Sequence, residues 1–431
     1  MDKDVELTPE LRLQGARDWA HSVQARYAEK FAGTIARSTT PSPSAISGEH
    51  LVNIRQALAE AGADPAIFDE TLTQIGGAKL SEFDEPVARL QIEKIVAQIM
   101  TTMGSVNLSA GGRDLLISSI PSGMVNAFCG ASSWDTEYHH IFVDSDLMVF
   151  CSSLAKIVAI CCTRGVMKNG QLQLDSARVP ANAKAEDVRS RIMELYGAIV
   201  FEGTVRASKP WIPDPTAIPL QILLAESMER FVVAHEISHL MLGHLETAAE
   251  TIKSEDPNFP DLEATVFSRE AEHQADIAGA VIATETTVRT GSTHAITSIA
   301  PYIFLAGIEV LDSCLDSAGR PVGGIDSTHP PARERRAVLR AAMVEHIWRK
   351  DPDGSLPVIL KRIDQLFHWI GVAARKAVQI RRNQGHVPTR RVSLKVFQDG
   401  EPPRILGYRP DPTRLSGFAE IAEQAFLAEA T

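Results

Sequence analysis

The sequence is short of several things, and each shortage closes off a class of protein. Only five of its 431 residues are cysteine, at Cys129, Cys151, Cys161, Cys162 and Cys314. The number is odd and the spacing irregular, so no disulfide framework is expected and no pair has the spacing of a thiolate zinc site. The adjacent Cys161 and Cys162 do not share one tetrahedral metal easily and read as buried small apolar residues. A reducing cytoplasm is the expected compartment. Positive charge is in deficit, with 43 Lys and Arg against 54 Asp and Glu and a net charge of -11. That argues against general nucleic-acid binding and against an anionic membrane surface as partner. Long apolar runs are also missing. "LMVFCSSLAKIVAICC" is broken by Lys156, and "AITSIAPYIFLAGIEVL" by Pro301 and Glu309. Both read as core elements rather than membrane spans. The first residues, "MDKDVELTPELRLQGARDW", are polar and acidic and lack the apolar region of a signal peptide. A soluble protein without membrane insertion is expected.

Aromatic residues make up only 6% of the chain. Together with abundant Ala, Leu, Ile and Glu, this favours a mainly helical protein. Helical patterning covers Thr8 to about Arg37, Leu51 to about Ile75, and Glu85 to about Met103. The texture then changes. Met124 to Cys129 and His140 to Val143 read as a β-hairpin around a turn-rich segment. Helical pattern resumes near Leu147. A long helix is expected from about Leu220 to His244, with Gly243 as terminator. Another is expected from about Ser268 to Thr284, followed by helical segments to Ser317 and a basic-flanked helix after Asp351. No internal repeat is present.

The long helix carries "VVAHEISHLMLGH". Positions four apart share a helix face, so His235 and His239 can point at one metal ion. Glu236 is rotated about 100° away, where it can touch a water beside that ion. This is the pattern of a zinc hydrolase with a glutamate general base. The plainer reading is a helix with partly buried histidines on backbone or carboxylate partners. The flanks count against it: Phe231, Val232, Val233, Ala234, Ile237, Leu240, Met241 and Leu242 make the helix apolar nearly all round. Polar groups buried there need strong partners, and a cation is one. His244 is off the shared face and reads as a helix-end residue complementing the dipole. The longer metzincin pattern fails, because Leu242 and Leu245 stand where it needs glycine and histidine.

A catalytic zinc site needs a third protein ligand. "SREAEHQADIAGA" offers Glu272, with Asp276 one turn on and Gly279 continuing the face. Glu272 can bind the metal while Asp276 reaches the second ring nitrogen of a ligand histidine. Gly279 would let this helix approach the first closely. Glu270 and His273 point elsewhere on the wheel. In isolation the same residues read as an acidic solvated face; after an HExxH helix the metal reading is favoured.

"HEISH", then "EHQAD", then "STHPPARERR", preceded by "NAFCGASSWDTEYHHIFVDSDLM", resembles the gluzincin peptidases of the HtpX and CAAX-prenyl-protease type, peptidase family M 48. The resemblance covers roughly Val87 to Arg340. It implies a zincin-like core with one Zn²⁺ per chain held by His235, His239 and Glu272. It implies Glu236 as catalytic base, Asp276 behind a ligand histidine, and His329 and Arg335 assisting near metal and substrate. The strand Asn126, Ala127 and Phe128 matches the edge that pairs with extended substrate. Three features depart from the family. Its members are commonly membrane-embedded. The stretch from Asp144 to Pro219 is longer than the family's connection. The segments before Glu85 and after Asp351 have no counterpart.

The expected fold is mainly α with a small β-hairpin or sheet, of the α+β class. The expected organisation is an N-terminal helical region (1–84), a metallopeptidase core (85–345) with an insertion at about 164–219, and a C-terminal helical, basic region (346–431). The expected function is zinc-dependent endopeptidase acting on a protein or peptide substrate. A catalytically weak zinc-binding sensor module and a narrow-specificity toxin or defence protease are the alternatives. The basic cluster of Lys361, Arg362, Arg375, Lys376, Arg381, Arg382, Arg390 and Arg391 reads as a solvated face or as pairing with the acidic remainder of the chain. Nothing in the sequence sets an oligomeric state.

Overall fold

The computed structural model describes residues 8–30, scattered positions between 52 and 73, 81–130 apart from 82, 121 and 124, 137–164, 167–168, 171–172, 178–247, 250–253, 263–291, 297–319, 329–344 and 356–389. Most of the expected helix from Leu51 to Ile75, and Arg390 and Arg391 of the basic cluster, lie outside these residues.

The described elements are mostly helical, with a small mixed sheet. Helix α1 (Pro9–Lys30) and helix α2 (Pro86–Ser105) precede three strands, β1 (Asp114–Ile120), β2 (Ala127–Gly130) and β3 (Tyr138–Asp144). Then come α3 (Ser145–Thr163), α4 (Val179–Lys184), α5 (Glu186–Gly197), α6 (Ile218–Met241), α7 (Arg269–Arg289), α8 (Ala300–Ser317), α9 (Ala332–Ala342) and α10 (Leu356–Asn383). Two small antiparallel pairs, at Met167–Lys168 with Gln171–Leu172 and at Glu250–Lys253 with Glu263–Val266, stand apart from the main sheet.

The main sheet has the order β1-β3-β2. β2 and β3 are the expected antiparallel hairpin, with Phe128 opposite Phe142. β1 was not expected: it pairs parallel with β3, Ile117 opposite Ile141. α1 covers one face of the sheet through Ala20, Val23 and Tyr27, which pack with Ile120 and Phe142. The other face meets α6. α3 is long and apolar enough to cross a membrane, but 72% of it is buried inside the fold. Its start is held by Asp144, whose carboxylate accepts from the Asp146 backbone N–H at 2.7 Å.

α6 is buried from Phe231 to Leu240 without interruption, as its apolar flanks predict. It ends one turn early, at Met241, because Gly243 takes a left-handed φ of 69° and turns the chain. One hydrophobic core draws on the stretch read as an insertion, through Val188, Ile192, Leu195 and Tyr196, and on α10, through Leu360, Leu366, Ile370 and Ala374. Several of the C-terminal cations pair locally: Arg375 donates to Ser313 Oγ at 3.2 Å, and Arg381 meets Glu202 at 3.4 Å.

α7 crosses α6 at Gly279. A Cβ there would lie 2.8 Å from the backbone nitrogen of His235 and 2.9 Å from its Cα. Backbone cannot yield as a side-chain end can. Gly279→Ala therefore forces the two helices apart, and its expected cost is about 1–3 kcal/mol. Urea denaturation reads this as a lower midpoint at an unchanged slope. A midpoint equal to the parent's would mean that the crossing is not as tight as described.

Candidate metal centre

The crossing sets Glu272 and Asp276, seven and three residues before Gly279, against the histidine face of α6. α7 starts there because Ser268 caps it, its hydroxyl accepting from the Ala271 N–H at 3.2 Å. Both carboxylates are fully buried. The solvated acidic face is thereby excluded. His273 is buried too, but on another side, 3.5 Å from Glu334.

The ring of His235 is held by Asp276, with Nδ1 3.0 Å from Oδ1. Arg335 grips Asp276 from behind, donating to its two oxygens at 2.8 and 2.6 Å. Burial alone would raise the Asp276 pKa, but the charge and hydrogen bonds of Arg335 outweigh burial and hold it below the usual range. Arg335, which the resemblance sets near metal and substrate, anchors Asp276 here. With Nδ1 spent on Asp276, His235 turns Nε2 to within 3.4 Å of Glu272.

His239 is held by His244, and His244 in turn by Gln274. His239 Nδ1 lies 2.9 Å from His244 Nδ1, and His244 Nε2 lies 3.1 Å from Gln274 Oε1. His244 is therefore not a helix-end ornament on the dipole; once the chain turns at Gly243 it swings back under His239. The proton order follows from the chain of partners. Gln274 Oε1 accepts from His244 Nε2–H, so His244, kept neutral by burial, accepts at Nδ1. His239 must then donate from Nδ1, which leaves a lone pair on its Nε2. Phe267 stacks on this ring at 3.8 Å between centroids and fixes its plane.

The two Nε2 atoms meet 3.1 Å apart, and His239 Nε2 is 3.7 Å from Glu272 Oε1. Donors around a tetrahedral ion at ~2.1 Å stand ~3.4 Å from one another, so this spacing fits. His329 adds Nδ1 at 2.9 Å from Glu272 Oε2, and it is the more exposed member of the group. His235, Glu272 and His329 each present one ligand atom within 4.8 Å of the other two, so a buried His-Glu-His group able to hold a metal ion is present. The sequence reading had His239 in the place of His329; the structure turns both rings toward Glu272.

Charge asks for a cation here. Glu236, Glu272 and Asp276 are three buried carboxylates, and Arg335 answers Asp276 among them. Neither oxygen of Glu272 has a hydrogen bond of normal geometry. Burial would raise the Glu272 pKa, yet His329 and His235 hold it well below the usual range, so it is ionised. Burial would lower His235, but Asp276 and Glu272 raise it to about 9.

Glu236 points off the ligand face, as its position on the helix requires. Burial raises its pKa, opposed by His235 and His329. The Cys129 thiol of β2 hydrogen-bonds it, a contact invisible in a sequence that marks Cys129 only as small and apolar. A cleft of about 670 Å³ opens over His235, Glu236 and His329, bordered by Asn126 and Ala127 at the start of β2. β2 is an edge strand. Phe128 does not join them: its side chain stacks on Phe142 and Tyr27 on the opposite face, under α1. Ser327 and Thr328 of the "STHP" segment lie outside the described residues.

The hydrogen bonds behind the two histidine rings carry a prediction. Asp276→Asn and His244→Ala should each weaken metal binding by about tenfold to a hundredfold without abolishing it. Competition with a chelator of known affinity measures both. His273→Ala, on the other side of α7, is the control, and it should bind like the parent. A loss of metal confined to His273→Ala would mean that the other side of α7 serves the ion.

Compared with family models, curated proteins and solved structures, the chain matches none of them.

Proposed function

We propose that the protein is a zinc-dependent endopeptidase with a zincin-like core, related to the gluzincins that its motifs resemble. One observation carries the reading. Two imidazole nitrogens with their other ring atoms already engaged converge on an ionised, buried carboxylate, beside a glutamate and an open cleft. His235, His239 and Glu272 would hold the ion, with His329 next to it at the mouth of the cleft. Bound there, zinc supplies a Lewis acid that polarises a peptide carbonyl and makes a neighbouring water more acidic.

The chain's own groups do the rest. Glu236, with its pKa raised by burial, is suited to take a proton from the attacking water and return it to the leaving amine. Cys129 holds the Glu236 carboxylate from the sheet side. His329 can donate to the oxyanion that develops on the carbonyl. The edge of β2 at Asn126 and Ala127, paired with no further strand among the described residues, can pair with an extended substrate backbone and present its scissile bond to Glu236. Arg335 and Asp276 keep the His235 ring from turning. Five cysteines without a disulfide suit a reducing compartment such as the cytoplasm.

The expected content is one zinc per chain by elemental analysis, largely lost in His235→Ala, His239→Ala and Glu272→Ala and retained in His329→Ala. Retention in His239→Ala with loss in His329→Ala would exchange the roles of these two histidines. Glu236→Gln should keep the zinc and the fold but lose peptide hydrolysis by at least a hundredfold. Full activity in that variant would remove Glu236 as the base.

A further inference from the structure

α8 sends one stripe of side chains into the cleft: Phe304, Ile308 and Asp312, each four residues from the last. From Phe304 to Asp312 the stripe runs about 12 Å along the helix. Phe304 packs on Phe231, the residue one turn before His235, at 5.9 Å between centroids. Leu147 completes the apolar wall. The stripe therefore starts as hydrocarbon and ends in a carboxylate.

That carboxylate is poorly served. Asp312 accepts one hydrogen bond, from the Ala332 N–H at 3.3 Å. No ion pair to it occurs among the described residues. The nearest cations are committed elsewhere: Arg335 to Asp276 at 2.6 Å, and Arg336 to Glu309 at 2.7 Å. Burial first, then the neighbouring acids Asp316 and Glu309, push the Asp312 carboxyl up to about 6, against the Ala332 hydrogen bond and Arg335.

We propose that this arm of the cleft takes a lysine or arginine side chain flanking the scissile bond, with Asp312 as the residue that determines the specificity. The inference rests on the peptidase reading and adds the substrate class to it. A long basic side chain lays its methylenes along Phe304, Ile308 and Leu147 and brings its charge to Asp312. A wholly apolar side chain strips water from Asp312 and gives nothing back, and an acidic one is repelled. Asp312 also sits at the start of α9, so the test must spare that contact. Asn can still accept from Ala332, and Glu keeps the charge.

The experiment profiles cleavage of a proteome-derived peptide library by the zinc-loaded full chain, its Asp312→Asn variant and its Asp312→Glu variant. The parent should enrich Lys and Arg at least tenfold at one position flanking the cut. Asp312→Asn should lose that enrichment while keeping its zinc and melting temperature, and Asp312→Glu should retain most of it. An apolar profile in the parent, or a basic profile unchanged in Asp312→Asn, overturns the inference and leaves the peptidase reading standing. If the parent cuts nothing, the peptidase reading fails, and a second measurement still decides the arm's chemistry. That measurement is fluorescence anisotropy of Glu236→Gln with lysine-containing peptides and their norleucine counterparts. Tenfold tighter binding of lysine, abolished by adding Asp312→Asn, supports a cation-selective arm; equal binding of the two overturns it.

Discussion

Three carboxylates, Glu236, Glu272 and Asp276, lie together where water barely reaches, and the rest of the site is arranged around that charge. A buried ion left unpaired costs several kcal/mol, so each must be answered locally. Arg335 answers Asp276 with two hydrogen bonds and in doing so locks His235 through Nδ1. Glu272 and Glu236 have no comparable partner, and the histidine nitrogens in front of Glu272 are placed to share a cation with it. The geometry depends on the α6–α7 crossing. A Cβ in place of Gly279 at the contact with His235 would push the carboxylates of α7 away from the imidazoles of α6. A close helix contact thus creates both the electrostatic problem and the means of answering it.

What the sequence disclosed, and what it hid, divides along the range of the interactions. His235, His239, Glu272, Asp276 and Gly279 are legible because helical periodicity alone puts i and i+4 on one face, and the apolar flanks of α6 announce its burial. The β2–β3 hairpin is legible for a similar local reason. β1 is not legible because it pairs parallel with β3, the hairpin's second strand, with β2 between them in sequence, so no turn between neighbours advertises the pairing. His244 was misread because its role depends on where the helix stops. On a continued helix it leaves the ligand face; after the turn at Gly243 it returns beneath His239. Gln274 and Cys129 carry no signal at all, since each acquires its part only by facing a residue distant in the chain. Asp312 is hidden in the tail of an apolar helix, where Glu309, Asp312 and Asp316 together read as the onset of the surface.

The same fold contains a second pair of buried acids, and the contrast bears on the first. Asp144 and Asp146 lie at the start of α3, far less exposed than acids usually are. Asp144 accepts from the Ser122 N–H at 2.9 Å, from the Ser122 hydroxyl and from the Asp146 N–H. Asp146 accepts from the Thr204 hydroxyl at 2.5 Å, the Val205 N–H at 2.8 Å and Arg206 Nε at 2.9 Å. Donors on three sides surround that pair, although burial and the Asp146 charge still push the Asp144 carboxyl up to about 8. The chain therefore has the means to surround a buried carboxylate with hydrogen bonds, and it does so where structure alone is at stake. Around Glu272 no backbone N–H or hydroxyl donates among the described residues, and His329 Nδ1 at 2.9 Å and His235 Nε2 at 3.4 Å face it instead. In their place stand imidazole rings with their far nitrogens already engaged by Asp276 and His244. A site organised for stability would resemble the Asp144 pair; one organised for an incoming cation would resemble what surrounds Glu272.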